Sequence, residues 1–541
     1  MAAKRAPDAM LLEVFKNVFH SIAEEMGAAL RRSAFSPNIK ERRDYSCAVY
    51  DADGQVIAMG DHMPVHLGSM SASVAAARQT LSFEPSDIAA LNDPFAGGTH
   101  LPDVTLVMPV FLRRESKPHF FVASRAHHAD IGGALAGSMG PAQEIFQEGL
   151  RIPPVKLFRA GKVDSDILRL LLANVRTPVE RDGDLAAQIA SCRLGERRLH
   201  EVVAKYGVRL TDTYAGHLLD YSEKMMRAEL HSICRGIYRA EDFLDSDGTS
   251  NRPLAIRVAL RLTRDSAVVD FTGSSPQCAG NINAVEAIAI SAVYYVFRAL
   301  LREDVPATSG LLRPITVIAP SGTIVNAIPP AAVAGGNVET SQRMVDTLLR
   351  ALSQAVPSRI PAASQGTMNN LTFGGLDSRR GNQPFTYYET IAGGCGASAT
   401  HDGPTATHSH MTNSWNTPVE VFEEAYPVRV ERYAIRRGSG GAGKHRGGDG
   451  VIRKIGFLTP VEVGLLTDRR VTSPYGLQGG EPGSRGKNSL KRGMSLYTLA
   501  AKCAFTATTG DVLSIETPGG GGWGTTRSAK RDRQKRRKRS R

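Results

Sequence analysis

The sequence predicts an α+β protein of mixed, multi-layer architecture, and three observations carry that reading. Leu11, Phe15, Val18, Ile22 and Met26 recur at three- and four-residue spacing, the signature of one buried helix face. Strand-like segments flank turn chemistry between Tyr45 and Ala126, and beyond residue 425 short strands alternate with glycine clusters. A chain of 541 residues, at roughly 150 per domain, can bury a large core without disulfide or metal staples. The predicted organisation is an N-terminal α/β metal-site region (1–164), a helical insert (165–250), a central α+β region (251–425), a β-rich glycine-containing region (426–526) and a disordered basic tail (527–541).

The first helix is expected to end before Ser36-Pro37, because proline disfavours helical backbone in the residue before it. Residues 45–50 and 55–58 then flank Asp51-Ala52-Asp53-Gly54, where glycine supplies the positive φ of a hairpin turn. That Asp-x-Asp-Gly start lacks the later oxygen ligands of a calcium loop. Two further strands are predicted over 104–112 and 119–126, joined by a polar stretch. Helices are predicted over 184–206 and 214–236, reading as an insert or lid. Alternation returns over 257–271, followed by an apolar helix near 284–302 and another over 341–355. Glu286 and Arg298 interrupt the 284–301 run, so it reads as a buried helix and no membrane span is expected.

The net charge of +13 is concentrated at one end. Residues 527–541 hold ten Lys or Arg against Asp532, leaving 56 basic and 52 acidic groups in residues 1–526. A nearly balanced body argues against a nucleic-acid surface; only the tail could serve as an arm for nucleic acid, another anionic partner or a membrane surface. The six cysteines are scattered with no C-x-x-C pair, and no secretory signal is visible, which predicts a cytoplasmic protein with reduced thiols.

The most informative stretch runs from Gly97-Gly98-Thr99-His100-Leu101-Pro102-Asp103, through two strands, to His127-His128-Ala129-Asp130-Ile131-Gly132-Gly133. It contains His-x-x-Asp twice. An antiparallel hairpin centred near Glu115 sets Asp103 opposite His127 and His100 opposite Asp130. Two imidazoles and two carboxylates at one open end suit zinc, manganese or ferrous iron. The competing reading has these histidines and aspartates capping loop backbone.

Two other histidine pairs are candidates for substrate contact or proton transfer: His62 and His66, separated by Pro64, and His408 and His410 in a polar loop. Gly438 to His445 nearly spells a phosphate-binding loop, but no Ser or Thr follows Lys444, and Arg446-Gly447-Gly448-Asp449-Gly450 is a poor start for a helix. It reads as a connection between strands.

Taken in order, Glu41 to Cys47, Gly60-Asp61-His62 to Met70, Asn92-Asp93-Pro94 to Asp103, His127 to Gly133, Ser439 to Gly450 and Thr517 to Gly524 resemble the hydantoinase B and 5-oxoprolinase family, over almost the whole chain to about residue 525. The basic tail departs from that pattern. The resemblance implies a subunit of an ATP-dependent cyclic amide hydrolase with a role in glutathione metabolism, paired with a hydantoinase A-type chain that binds ATP and magnesium. It further implies a divalent metal at His100, Asp103 and His127, with Asp130 as a fourth position and His128 as a weaker candidate. Subunits of acetone and acetophenone carboxylases are similar, so a ketone carboxylase subunit, or a scaffold for the ATP-binding chain, are the alternative expectations.

Overall fold

The computed structural model describes residues 7–112 and 115–526. Helix α1 (Ala9–Ser33) opens with Asp8 as its cap, the carboxylate accepting from the Met10 and Leu11 amides, and gives way to extended backbone at Ala34. Its Phe15, Phe19, Ile22, Met26 and Leu30 are fully buried, each stabilising the core by roughly 1.5–3 kcal/mol. A short α2 (Pro37–Lys40) follows, capped by Ser36.

The first sheet contains β1 (Tyr45–Asp51), β2 (Val56–Met59), β3 (Ile88–Leu91), β4 (Asp103–Val110), β5 (Phe120–His127), β6 (Val155–Arg159) and β7 (Lys162–Val163). Their order is β2-β1-β5-β4-β3-β6-β7, antiparallel throughout. Gly54 takes φ 79° in the β1–β2 turn, as the sequence predicts. Helix α3 (Met70–Thr80) covers one face of this sheet through Met70, Val74 and Ala77.

The other face is covered by α1 and by the region predicted as helical. That region forms α4 (Ser165–Ala173), α5 (Pro178–Tyr206) and α6 (Val208–His231). α5 starts six residues earlier than its apolar pattern suggests, with Pro178 in its first turn, and Gly207 at φ 79° separates it from α6. Because α5 packs against α1, β4 and β5, it is a structural layer rather than a lid.

A second sheet, ordered β11-β10-β9-β8, is built from β8 (Gly236–Leu244), β9 (Leu254–Leu262), β10 (Ala267–Asp270) and β11 (Ile315–Ile318). Helices α7 (Glu286–Leu300) and α8 (Ser341–Ala355) pack together, and α8 lies on β8 and β9. The C-terminal portion adds β12 (Asn370–Asp377), β13 (Gln383–Glu389), the short α9 (Val419–Ala425), β14 (Val428–Arg436), β15 (Gly450–Phe457), β16 (Val461–Leu466), β17 (Lys487–Arg492), β18 (Ser495–Leu499), β19 (Lys502–Ala507) and β20 (Val512–Glu516). These make two sheets, β13-β12-β16-β19 and β14-β15-β20-β17-β18. Leu371, Phe373, Val463 and Leu465 of one pack with Val451, Ile455, Leu513 and Ile515 of the other.

The near-miss phosphate loop is accounted for by this packing. No helix follows Lys444; the run connects β14 to β15 and pairs its backbone with the closing glycine segment, Gly441 N–H donating to Gly520 O at 2.8 Å and His445 exchanging hydrogen bonds with Trp523. A Cβ on Gly440 would strike the Gly447 carbonyl, and one on Gly520 the Cys395 carbonyl. Glycine is required there by backbone contact rather than by a ligand. Among the described residues no helix is long and apolar enough to cross a membrane. The predicted disordered tail, 527–541, lies outside the described residues.

Candidate functional site

The β4–β5 hairpin has the register that the sequence predicts: Asp103 pairs with His127, and the ladder runs to Val110 opposite Phe120. Asp103 opens β4 and His127 closes β5, so both side chains stand at the mouth of one ribbon. The loop before β4 is fixed by Asn92, whose amide donates to the carbonyls of Leu101 and Leu150 and whose Oδ1 accepts from Ile152 N–H at 2.6 Å. Gly98 lets this loop fold back on itself, because a Cβ there would collide with the Asn92 carbonyl. The result delivers His100 to the same point.

Three donor atoms converge there. His100 Nε2 lies 3.0 Å and His127 Nδ1 3.3 Å from Asp103 Oδ1, and all three residues are at most 2% exposed. These approaches lack hydrogen-bond alignment: Asp103 Oδ1 is left with no hydrogen-bond partner, as are His100 Nδ1 and His127 Nε2. Bonds of roughly 2.1 Å to one ion at tetrahedral or octahedral angles set donors roughly 3.0–3.4 Å apart. The trio therefore fits a shared divalent cation better than it fits pairwise hydrogen bonding, and these three form a possible metal-holding group.

The electrostatics agree. Burial opposes ionisation of Asp103, yet the close approach of His100, His66 and His127 holds its carboxyl well below the usual range. Burial pushes the His127 imidazole down, keeping it in the neutral form that ligates metals. The His127 ring is stacked on Tyr388 at 4.4 Å, and the residue's backbone N–H donates to the Asp44 carbonyl at 3.0 Å. Thr99 Oγ1 donates to Asp103 Oδ2 at 2.8 Å.

Asp130 does not join the cluster, contrary to the expectation from hairpin pairing. Its carboxylate accepts from the Arg176 amide at 2.6 Å and from the Arg176 guanidinium at 3.0 Å. The ladder stops at His127, and glycines 132 and 133, both with φ near 87°, turn the chain away. His128 is likewise turned aside, its Nε2 lying 2.9 Å from Gln188 Oε1.

The four histidines assigned to substrate contact or proton transfer separate into different settings. His66 is buried beside the cluster, Nε2 3.3 Å from Asp103 Oδ2 and Nδ1 2.9 Å from Ser46 Oγ. Ser46 sits on buried β1 and accepts the Met63 N–H, so this Ser–His–Asp order is a buried relay and not an exposed nucleophile. His62 lies away from Asp103, its ring against Tyr45 and near Glu24. His410, at φ 57°, faces Asp346 of α8 at 3.3 Å. His408 is part-exposed as a residue, but both ring nitrogens are enclosed without partners, and burial pushes the imidazole down to about 3. Met411 O accepts the Val65 N–H at 3.2 Å, so the two histidine-bearing segments lie side by side.

Sequence reading missed the turn Gly336–Thr340, a π-helical turn running into α8. Such turns interrupt the regular hydrogen-bond ladder and recur at functional sites. Glu148 holds its approach by accepting from the Val333 and Ala334 amides. Asn337 Nδ2 lies 3.0 Å from His100 Nε2 and 3.4 Å from Asp103 Oδ2, with Oδ1 unpartnered; an end-for-end rotation of this amide presents Oδ1 to the cluster. Glu339 is fully buried, and burial together with Asp468 pushes its carboxyl up to about 8. Its Oε1 accepts from Met368 N–H and Asn370, while Oε2 has no partner.

The model of the family described as hydantoinase B/oxoprolinase matches residues 8–526. A protein of Methanocaldococcus jannaschii without an assigned function is 40% identical over 96% of this chain and 91% of its own length. 5-Oxoprolinase 1 of Arabidopsis thaliana is 39% identical over 97% of this chain, which spans only 42% of that longer protein. Among solved structures, the ATP-dependent caprolactamase of Pseudomonas jessenii superposes with a TM-score of 0.89 at 28% identity, over 96% of this chain and 92% of that one. An acetone carboxylase structure gives the same TM-score at 20% identity over 96% of this chain and 76% of that one, a likeness of fold alone. With the family pattern matched from end to end of the described body, this chain belongs to the hydantoinase B/oxoprolinase family.

Proposed function

We propose that this chain is the metal-holding subunit of an ATP-dependent hydrolase that opens a cyclic amide, a lactam or hydantoin ring, together with a hydantoinase A-type chain that binds and splits ATP. The observation that carries the reading is the buried convergence of His100 Nε2 and His127 Nδ1 on Asp103 Oδ1, an oxygen without a hydrogen-bond partner. Family membership supplies the reaction class, and the caprolactamase likeness at 28% identity favours lactam chemistry. The 5-oxoprolinase relative is more than twice this chain's length, which supports a division of labour in which ATP is handled elsewhere.

In this proposal His100 Nε2, Asp103 Oδ1 and His127 Nδ1 hold zinc, manganese or ferrous iron. A bound ion of this kind supplies Lewis-acid polarisation of a carbonyl or water, worth several kcal/mol of barrier. Asp103 has a second task, since its Oδ2 lies 3.3 Å from His66 and so orients that imidazole. His66 is thereby placed to exchange a proton with the Ser46 hydroxyl at Nδ1. Glu339, its carboxyl pushed up to about 8 by burial and Asp468, sits on the same turn as Asn337. Because the cluster is enclosed, ring entry in this proposal requires movement of a lining segment, such as the glycine-flanked 97–100 loop that carries His100.

Co-expression with the ATP-binding partner, followed by a screen of lactams and hydantoins for ATP-coupled ring opening, tests this function. Ring opening that disappears in His100→Ala is the expected result. Incorporation of labelled bicarbonate into a ketone would place the chain in a carboxylase instead.

A further inference from the structure

A second group of metal-ligating side chains lies where α1 meets the loop after β2. His20, Glu24 and Asp61 each offer one donor atom within 4.8 Å of the others. His20 and Glu24 stand four residues apart on one face of α1, so helix geometry alone brings them together. Asp61 reaches them from the loop, its Oδ2 3.7 Å from His20 Nε2.

The surroundings hold each ligand in the state a metal needs. His20 Nδ1 lies 3.2 Å from the Met59 carbonyl. A carbonyl only accepts, so Nδ1 carries the hydrogen and Nε2 keeps its lone pair toward Asp61. This backbone bond on the distal nitrogen is the usual orienting contact of a metal-bound histidine. Glu24 is held in turn: its Oε1 accepts the Asp61 N–H at 2.7 Å and lies 3.7 Å from His62 Nε2. His62 Nδ1 accepts the Cys47 N–H, which leaves the hydrogen of the neutral ring on Nε2, directed at Glu24. Gly27 and Gly60 make the slot for that ring, since a Cβ at either would overlap it. A cavity of about 230 Å³ borders the cluster, lined by His20, Asp61, Lys16 and Arg298 among others, and gives water access to the remaining coordination positions.

We infer that His20, Glu24 and Asp61 form a second, exchangeable site for a first-row divalent cation, with zinc preferred over magnesium because one ligand is an imidazole. His62 is a positioning residue for Glu24. The ion clamps α1 to the segment that delivers His66, five residues after Asp61, to Asp103. The site is partly open to solvent, so it loses its metal to a chelator that leaves the enclosed cluster loaded.

The test uses the full chain, treated with chelator and then titrated with Zn²⁺ by calorimetry, with Mg²⁺ as the comparison. His20→Ala and Asp61→Asn, both at the surface, are expected to weaken this exchangeable binding at least about tenfold, with unchanged circular dichroism. Glu24→Gln is expected to do the same, while His100→Ala leaves it intact. Equal Zn²⁺ binding by wild type, His20→Ala and Asp61→Asn overturns the proposal, as does exchangeable binding that vanishes only with His100→Ala.

Discussion

Asp103 and His127 face each other as a cross-strand pair at the open end of the β4–β5 hairpin, with His127 Nδ1 3.3 Å from Asp103 Oδ1. The hairpin fixes this distance, because the two residues terminate strands that are buried on both faces and paired on both edges. A one-residue slip would turn the whole apolar set of both strands over, so register and site are specified together.

Asp103→Asn, His100→Ala and His127→Ala are each expected to lower retained metal at least about tenfold while far-UV circular dichroism stays native. Asp130→Asn is expected to behave oppositely. It retains metal but loses about 1–3 kcal/mol of stability, because Arg176 loses its buried carboxylate. Metal analysis and urea unfolding on the same four variants separate the two roles.

His66→Asn removes the group between Asp103 and Ser46. Turnover should fall about 10²–10⁴-fold, the usual range for a lost acid–base group, with less effect on KM. Ser46→Ala should have a smaller effect, since a hydroxyl at one end of the relay can be replaced by water. Equal turnover in wild type and His66→Asn would remove His66 from the mechanism.

His128 gives a stability signature in acid. Burial, helped by the Arg181 charge, pushes its imidazole down to about 4 from 6.5. Between those values the unfolded chain binds a proton that the folded chain does not, so stability is full above pH 6.5 and falls as pH drops toward 4. The slope from this one residue is at most about 1.4 kcal/mol per pH unit. His128→Asn should flatten the pH dependence of the unfolding free energy, obtained from urea titrations, by up to that amount.

Gly520→Ala tests the glycine layer. The added methyl meets the Cys395 carbonyl, and a loss of about 1–3 kcal/mol or more is expected. Lys444→Ala, in the sequence that imitates a phosphate loop, should leave stability within about 0.5 kcal/mol and not alter nucleotide affinity of the assembled enzyme.

Much of this fold was legible because periodicity reports burial directly. The apolar face of α1, the turn at Gly54 and the register that opposes Asp103 to His127 all follow from spacings of 3.6 or 2 residues. Hairpin symmetry sets Asp130 opposite His100 but says nothing about where pairing stops or which cation waits nearby; Arg176, which holds Asp130, is 46 residues away. Asn337 left no local trace, as it reaches the site from a π turn 237 residues beyond His100. His66 was legible as a candidate but not as a neighbour of Asp103, since Pro64 hid the helical turn that Pro64–His66 in fact makes.

The most direct test of the central claim is elemental analysis of the purified chain and of Asp103→Asn, both dialysed exhaustively against a chelator. The account predicts about one tightly held zinc, manganese or iron per wild-type chain and almost none in the variant. A wild-type chain that emerges without metal, or a variant that retains as much as wild type, would contradict it.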